Sequence, residues 1–343
     1  MYTPDKLLSI IIPTYNMEQY LRYCLDSLLI KENLEALDVL IINDGSKDSS
    51  SAIAHEYADR YPTVFRVIDK ENGNYGSCIN RGLKEATGKY IKVLDADDSF
   101  DTTHFEDFVT YLMHTDTDLI LSDFAIVNEE REIVKYHRYD FEPNRQYQME
   151  EVCTTPIFKN MEMHAVTYRR SILTNIDYKQ TEGISYTDQQ WIFIPMLYIK
   201  SVCRFDKHVY NYLIGREGQT ISTSIRQKSM SHMTRCIYDM IDVFSENREK
   251  MNSPIIEYFY ARLKPLIKSI YLDMFLHYSQ DNKNELISFD RDIKGRNMDI
   301  YRLIEETNSH FNYIKFWREH LDVNCLLVKL ISNLYINVLT KYK

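Results

Sequence analysis

Short apolar runs alternate, along the first half of the chain, with stretches whose apolar positions recur at helical spacing. Leu7–Ile12, Asp38–Ile42, Phe65–Ile68 and Tyr90–Leu94 read as buried strands. Between the first two, Tyr20, Leu21, Cys24, Leu25 and Leu28 share one face of a helix predicted over Met17–Leu29. Further helices are predicted over Ser49–Tyr61, Ser77–Ala86 and Thr102–Met113. This βαβαβαβ order predicts an α/β fold with a mainly parallel central sheet flanked by helices. Asp118–Ser122 reads as a strand, and Phe124–Val127 with Ile133–Tyr136 as a hairpin. A polar surface loop follows over Arg138–Glu151, then a helix over Gln189–Tyr198 and closing strands at Cys203–Phe205 and Val209–Leu213. From Ile225 onward Met230, Met233, Ile237, Met240, Ile241 and Phe244 repeat at helical spacing. Helices are also expected over Ile255–His277 (with Pro265 as a kink), Ile300–Glu306 and Phe311–Leu339. The pattern divides the chain into 1–123, 124–224 and a helical C-terminal module, 225–343.

The early strands end in polar residues that carry candidate chemistry. The run Tyr90–Leu94 stops in three carboxylates, Asp95, Asp97 and Asp98. In an open α/β sheet, ligands bind beyond the carboxyl ends of the strands. Carboxylates crowded there repel one another unless a cation joins them, and hard oxygen ligands suit Mg²⁺ or Mn²⁺. The competing reading is a loop that caps the next helix, but capping does not call for three acids in four positions. The first strand ends in Pro13-Thr14-Tyr15-Asn16 and the second in Asn43-Asp44-Gly45-Ser46. No GxGxxG follows the first strand, Gly88-Lys89 lacks the rest of a P-loop, and HExxH is absent. A bound diphosphate would therefore rely on a metal for neutralisation.

Composition narrows the partners. A net charge of −9 disfavours nucleic acid. No apolar stretch approaches the ~20 residues needed to cross a bilayer, and no signal peptide is expected before the first strand. Six scattered cysteines without a CxxC pair suggest reduced thiols, so a cytoplasmic location is expected. Tyrosine is abundant at 27 residues, which aromatic packing and sugar-stacking surfaces would use.

Ser9-Ile-Ile-Ile-Pro-Thr-Tyr-Asn16, Ile42-Asn-Asp-Gly-Ser46, Asn72-Gly73, Asn80-Arg-Gly82 and Leu94-Asp-Ala-Asp-Asp98 stand in order over the predicted βα array. Together they resemble the nucleotide-sugar half of a family 2 glycosyltransferase of GT-A fold. That resemblance implies an inverting, metal-dependent transfer from a nucleotide-diphospho-sugar, most often a UDP-sugar. It implies nucleotide contacts from Pro13, Thr14, Tyr15, Asp44, Arg81, Asp95 and Asp97. Asp95 and Asp97 fit the family's DXD motif, with the Mg²⁺ or Mn²⁺ ion on Asp97 or Asp98. Each has a plainer reading: Asp44 as a turn residue, Tyr15 as packing, Arg81 as a solvated helix charge.

Met163-His-Ala-Val-Thr-Tyr-Arg-Arg-Ser-Ile-Leu173 resembles the segment bordering the family's acceptor site, where His164 would face the acceptor. Thr187-Asp188 stands where the family commonly has Glu-Asp, which implies Asp188 as the general base; a helix N-cap is the competing role. Gly215-Arg-Glu-Gly-Gln-Thr-Ile-Ser222 resembles a loop whose Arg216 would contact the diphosphate. The acceptor would be a glycan or a lipid-linked sugar in cell-surface polysaccharide synthesis. The Leu- and Ile-rich last helix then offers a peripheral contact with the inner face of the cell membrane. Two rivals stand beside this reading: a non-catalytic nucleotide-sugar-binding partner subunit, and a sugar nucleotidyltransferase. The latter would carry a glycine- and arginine-rich loop after its first strand, where this chain has Pro13-Thr14-Tyr15-Asn16.

Overall fold

The computed structural model describes residues 6–216, 229–276, 283–306 and 312–320. The four predicted strands form as β1 (Leu8–Thr14), β2 (Leu37–Asn43), β3 (Phe65–Asp69) and β4 (Tyr90–Val93). They pair in parallel in the order β3-β2-β1-β4. All of β2 and β4, and all of β1 except Pro13, is buried. A sheet covered on both faces needs mostly apolar side chains on both, so these strands read as apolar runs, broken only by Ser9, Asp38 and Lys92 before their polar ends.

The sheet continues through β9 (Val166–Arg169), which runs antiparallel to β4 on one side and to β6 (Leu119–Val127) on the other. Beyond β6 comes β10 (Ser201–Leu213), parallel to it, and then the short β5 (Ser99–Phe100). The strands β7 (Ile133–His137) and β8 (Tyr147–Gln148) pair with β6 and β10. The boundary expected at 123/124 falls inside β6.

Helices α1 (Leu21–Asp26), α2 (Ser50–Arg60), α3 (Asn74–Glu85) and α4 (Thr102–Met113) follow β1, β2, β3 and β5. The first is shorter than the expected Met17–Leu29. Its missing first turn spends its N–H groups elsewhere: Met17 donates to Ser50 Oγ at 2.7 Å and Glu18 to Asp48 at 3.0 Å. Short helices α5 (Met149–Val152), α6 (Pro156–Lys159) and α7 (Arg170–Asn175) lie in the second half. The expected polar loop 138–151 contains buried Tyr139, Phe141 and Met149, and its end becomes β8 and α5. The helix expected over Gln189–Tyr198 is only α8 (Asp188–Trp191), followed by a 3-10 turn at Ile194–Leu197. Pro195 has no N–H to continue the ladder and crowds the preceding turn.

The chain divides into two compact units, residues 1–222 and 223–343. The second is helical: Met230–Asn247, Ser253–Leu276 with Pro265 inside it, Lys283–Arg296, Met298–Leu303 and Tyr313–Glu319. Arg318 seats the last of these by pairing with Asp290 at 2.6 Å and Glu305 at 2.8 Å, its guanidinium 3.5 Å from the Tyr301 ring centre. Of the helix expected over Phe311–Leu339, the greater part lies outside the described residues, and so does the membrane-surface face proposed for it. No described helix is long and apolar enough to cross a membrane.

Candidate active site

The carboxyl ends of β1, β2 and β4 open onto one cavity of about 310 Å³. Pro13, Thr14 and Tyr15 line it from β1, Asp44 from β2, Tyr75 from α3, and Asp95 and Asp97 from the segment after β4. Tyr212 and Arg216 close it from β10 and the turn that follows. Thr14 is buried, whereas Tyr15 is exposed and borders a second opening lined by Gly45, Lys47, Asp69, Lys70, Glu71 and Asn72.

The three acids divide their work. Asp98 is buried and turned into the protein: it accepts from Tyr210 Oη at 2.5 Å and from the Leu213 N–H at 2.7 Å. Burial, then the charges of Asp97 and Asp95, holds its carboxyl well above the usual range. Asp95 accepts from Tyr75 Oη at 2.9 Å. Its own pKa is pushed up to about 7, first by burial and then by Asp97. Asp97 takes the Arg216 guanidinium at 2.5 Å. This donor set fits a hard divalent ion: burial and the Asp97 charge favour the protonated Asp95, which a cation would offset, and Asp97 already attracts a cationic side chain. Asp95 and Asp97 offer carboxylate oxygens, the preferred ligands of Mg²⁺ and Mn²⁺, and the buried His164 lies within 4.8 Å of Asp95 and Asp98. Asp95 and Asp97 are the pair that faces the cavity.

Asp44 is committed within the fold. It accepts from the N–H groups of Gly73 and Asn74, each at 3.0 Å, and from Lys70 Nζ. A carboxylate on the first N–H groups of a helix satisfies donors that have no partner inside it. Hence α3 starts at Asn74, earlier than the predicted Ser77, and carries Tyr75 to the cavity.

Asp188 opens α8 and receives Gln189 Nε2 at 2.9 Å. Its charge raises both the Tyr75 hydroxyl and the Asp95 carboxyl, so it acts on the same cluster as the cavity acids. The preceding segment is clamped onto α3. Asn80 donates to the Gln180 carbonyl at 2.9 Å and accepts from the Gln180 N–H at 2.8 Å, and Gly183 N–H reaches Gly73 O at 3.0 Å. Gly76 is required there, because a Cβ on it would lie 2.2 Å from Thr181 O.

Four expected site residues do not line the cavity: Asp98 and Asp188, placed as described above, and Arg81 and His164. Arg81 is on the exposed face of α3, paired with Glu85 at 3.0 Å, because its position points away from the sheet. His164 is buried, its ring stacked on Tyr212 at 4.2 Å. Burial, with help from Lys92, lowers it to about 3, which keeps it neutral. Lys92 is itself fully buried in β4, donates to the carbonyls of His164 and Val166 at 2.8 and 3.3 Å, and is lowered by burial to about 7. Sequence reasoning passed over Tyr75, Tyr210 and Tyr212, and gave Asn80, though part of a motif, no role of its own. The excess of tyrosine was the available signal for the three tyrosines.

The family model described as "Glycosyl transferase family 2" matches residues 9–177. The chain is similar to the uncharacterized glycosyltransferase YibD of Escherichia coli K12, 32% identical over 204 residues. That match covers 56% of this chain and 56% of YibD, so the chain spans little more than half of that relative's length. It is 41% identical over 100 residues to the uncharacterized glycosyltransferase EpsJ of Bacillus subtilis, covering 29% of this chain and 28% of EpsJ. Among solved structures, S. aureus TarS 1–349 in complex with UDP-GlcNAc superposes with a TM-score of 0.68 at 16% identity, over 95% of this chain and 89% of that one. The mannosyltransferase PcManGT of Pyrobaculum calidifontis, in complex with GDP-Man and Mn²⁺, gives 0.50 at 13% identity, over 99% and 87%. These likenesses carry the fold, an α/β sheet of the GT-A type. Residues 9–177, which hold the sequence motifs, match glycosyl transferase family 2.

Proposed function

We propose that the chain is an inverting glycosyltransferase that moves a sugar from a nucleotide-diphospho-sugar, a UDP-sugar, onto a hydroxyl of a glycan or lipid-linked acceptor. The observation that carries this reading is the meeting of Thr14, Tyr15, Asp44, Asp95 and Asp97 at one cavity, with the Asp188 charge acting on the same acids. Tyr15 offers an exposed ring for the nucleobase, and Asp44 lines the same cavity. Asp95 and Asp97 are the residues that would hold Mg²⁺ or Mn²⁺ against the diphosphate. When bound, that ion supplies Lewis-acid stabilisation of the charge gathering on the leaving phosphate. Arg216, now on Asp97, is placed to offer a charge-assisted bond to the same phosphates. Asp188 takes the acceptor hydroxyl's proton as its oxygen bonds to the anomeric carbon. The anomeric carbon–phosphate oxygen bond breaks and its electron pair leaves with UDP.

The test is nucleotide release. Purified protein with Mn²⁺ and a panel of nucleotide sugars is expected to free UDP from one UDP-sugar slowly, and faster with acceptor. A binding subunit would hold the donor intact through the same incubation. A nucleotidyltransferase would instead release pyrophosphate from a nucleoside triphosphate and a sugar phosphate.

A further inference from the structure

A second group of ligand-bearing side chains lies immediately after β5. Asp101, His104 and His208 each bring one candidate ligand atom within 4.8 Å of those of the other two. None of them lines the cavity described above. Asp101 is the N-cap of α4, where one carboxylate oxygen accepts from the His104 N–H at 2.9 Å. The other oxygen is 3.5 Å from His208 Nε2. The His104 Nδ1 lies 3.0 Å from the carbonyl oxygen of His208. A carbonyl only accepts, so Nδ1 is the donor, and in the neutral ring Nε2 is the nitrogen left to ligate. Metal-bound histidines are typically oriented by such a bond from the second ring nitrogen. His208 reaches the group because the pairing of β10 with β6 is irregular on both sides of it, and irregularities of this kind re-aim side chains.

The 3.5 Å between His208 Nε2 and the Asp101 carboxylate is longer than a charged hydrogen bond, about 2.7–2.9 Å. Ligand atoms about 2.0–2.1 Å from a tetrahedral ion stand roughly 3.4 Å apart. We infer that Asp101, His104 and His208 form a binding site for one divalent transition ion of the zinc type. Two imidazoles and a carboxylate suit that class of ion, whereas Mg²⁺ prefers oxygen alone. The three residues are partly exposed, which leaves a position for water. A bound ion fastens the start of α4 to β10, the strand whose Tyr210 and Leu213 hold Asp98.

The experiment uses untagged full-length protein, stripped of metal, with excess Mg²⁺ present to occupy the oxygen-only acids. Titration with Co²⁺ is expected to give one equivalent of uptake with visible ligand-field absorption, abolished by added Zn²⁺. Uptake is expected to persist in Asp97→Asn and to be lost in His208→Gln and in Asp101→Asn. The last variant keeps the helix cap, since asparagine caps as well as aspartate, so its loss of uptake separates ligation from folding. Absence of uptake by the unmutated protein overturns the inference, as does uptake that survives both ligand variants or disappears in Asp97→Asn.

Discussion

The Tyr75 hydroxyl donates to Asp95 Oδ1 at 2.9 Å, tying the first turn of α3 to the acids after β4. That bond favours the ionised carboxylate, while burial and Asp97 oppose it more strongly and leave Asp95 at about 7. Near neutral pH the site is therefore short of positive charge.

This shortage gives a pH dependence whose sign is fixed. The folded Asp95 pKa lies above its ordinary 3.8. Between those values the native protein keeps a proton that the unfolded chain has released. Stability from this group is full below about 4 and is lost as pH rises through about 7. A divalent ion offsets the loss by favouring the charged form. Mn²⁺ is thus expected to raise the melting temperature more at pH 8 than at pH 6, and Asp95→Asn is expected to remove the difference. Equal shifts at both pH values in the unmutated protein would separate Asp95 from the cation.

Asp97 and Asp98, adjacent in sequence, are expected to behave oppositely. Asp97→Asn removes a cavity-facing ligand, so calorimetry should show loss of Mn²⁺-dependent UDP binding with little change in fold. Asp98→Asn keeps an acceptor for the Leu213 N–H and a partner for Tyr210, and should bind UDP with Mn²⁺ nearly as the unmutated protein does. Asp98→Ala leaves both groups buried without their acceptor, at a cost of about 3 kcal/mol in a denaturation series. Mn²⁺-dependent binding that is lost in Asp98→Asn and kept in Asp97→Asn would reverse the assignment.

Gly76 sets the approach of the segment before Asp188. A methyl group there meets the Thr181 carbonyl, a backbone atom that cannot rotate aside. Gly76→Ala is expected to destabilise the protein by about 1–3 kcal/mol. Hydrogen exchange should quicken at residues 180–190 well before it does in β1 or β2.

The strand ends were legible because a parallel sheet buried on both faces leaves mainly apolar runs, and clusters of polar residues mark where each run stops. Leu8–Thr14 and Tyr90–Val93 differ from the expected strands only at their ends. The start of α3 was not legible, since its cap is Asp44, 30 residues earlier. Nor was the continuity of β10, whose irregular centre at Asp206-Lys207-His208 reads as a turn between two strands. For Asp95, Asp97 and Asp98 the sequence gives the cluster but not its division, because the partners of Asp98 are more than 100 residues away.

Asn80 and Asp188 together test whether the clamp on α3 serves the reaction. Asp188→Asn changes one atom of the proposed base and leaves the nucleotide contacts alone. UDP affinity should be unchanged while transfer falls by at least about 100-fold, the scale of a lost general base. Asn80 touches no substrate in this reading and acts through Gln180, so Asn80→Ala should leave UDP affinity and its Mn²⁺ dependence intact. A small displacement of the base lowers the rate by up to about 100-fold. The pH dependence of transfer should keep its shape in Asn80→Ala, because the same carboxylate still accepts the proton. It should change in Asp188→Asn, whose residual reaction has no such group. If the Asn80 variant lost UDP binding in proportion to its rate, the clamp would serve the donor cavity and not the positioning of Asp188.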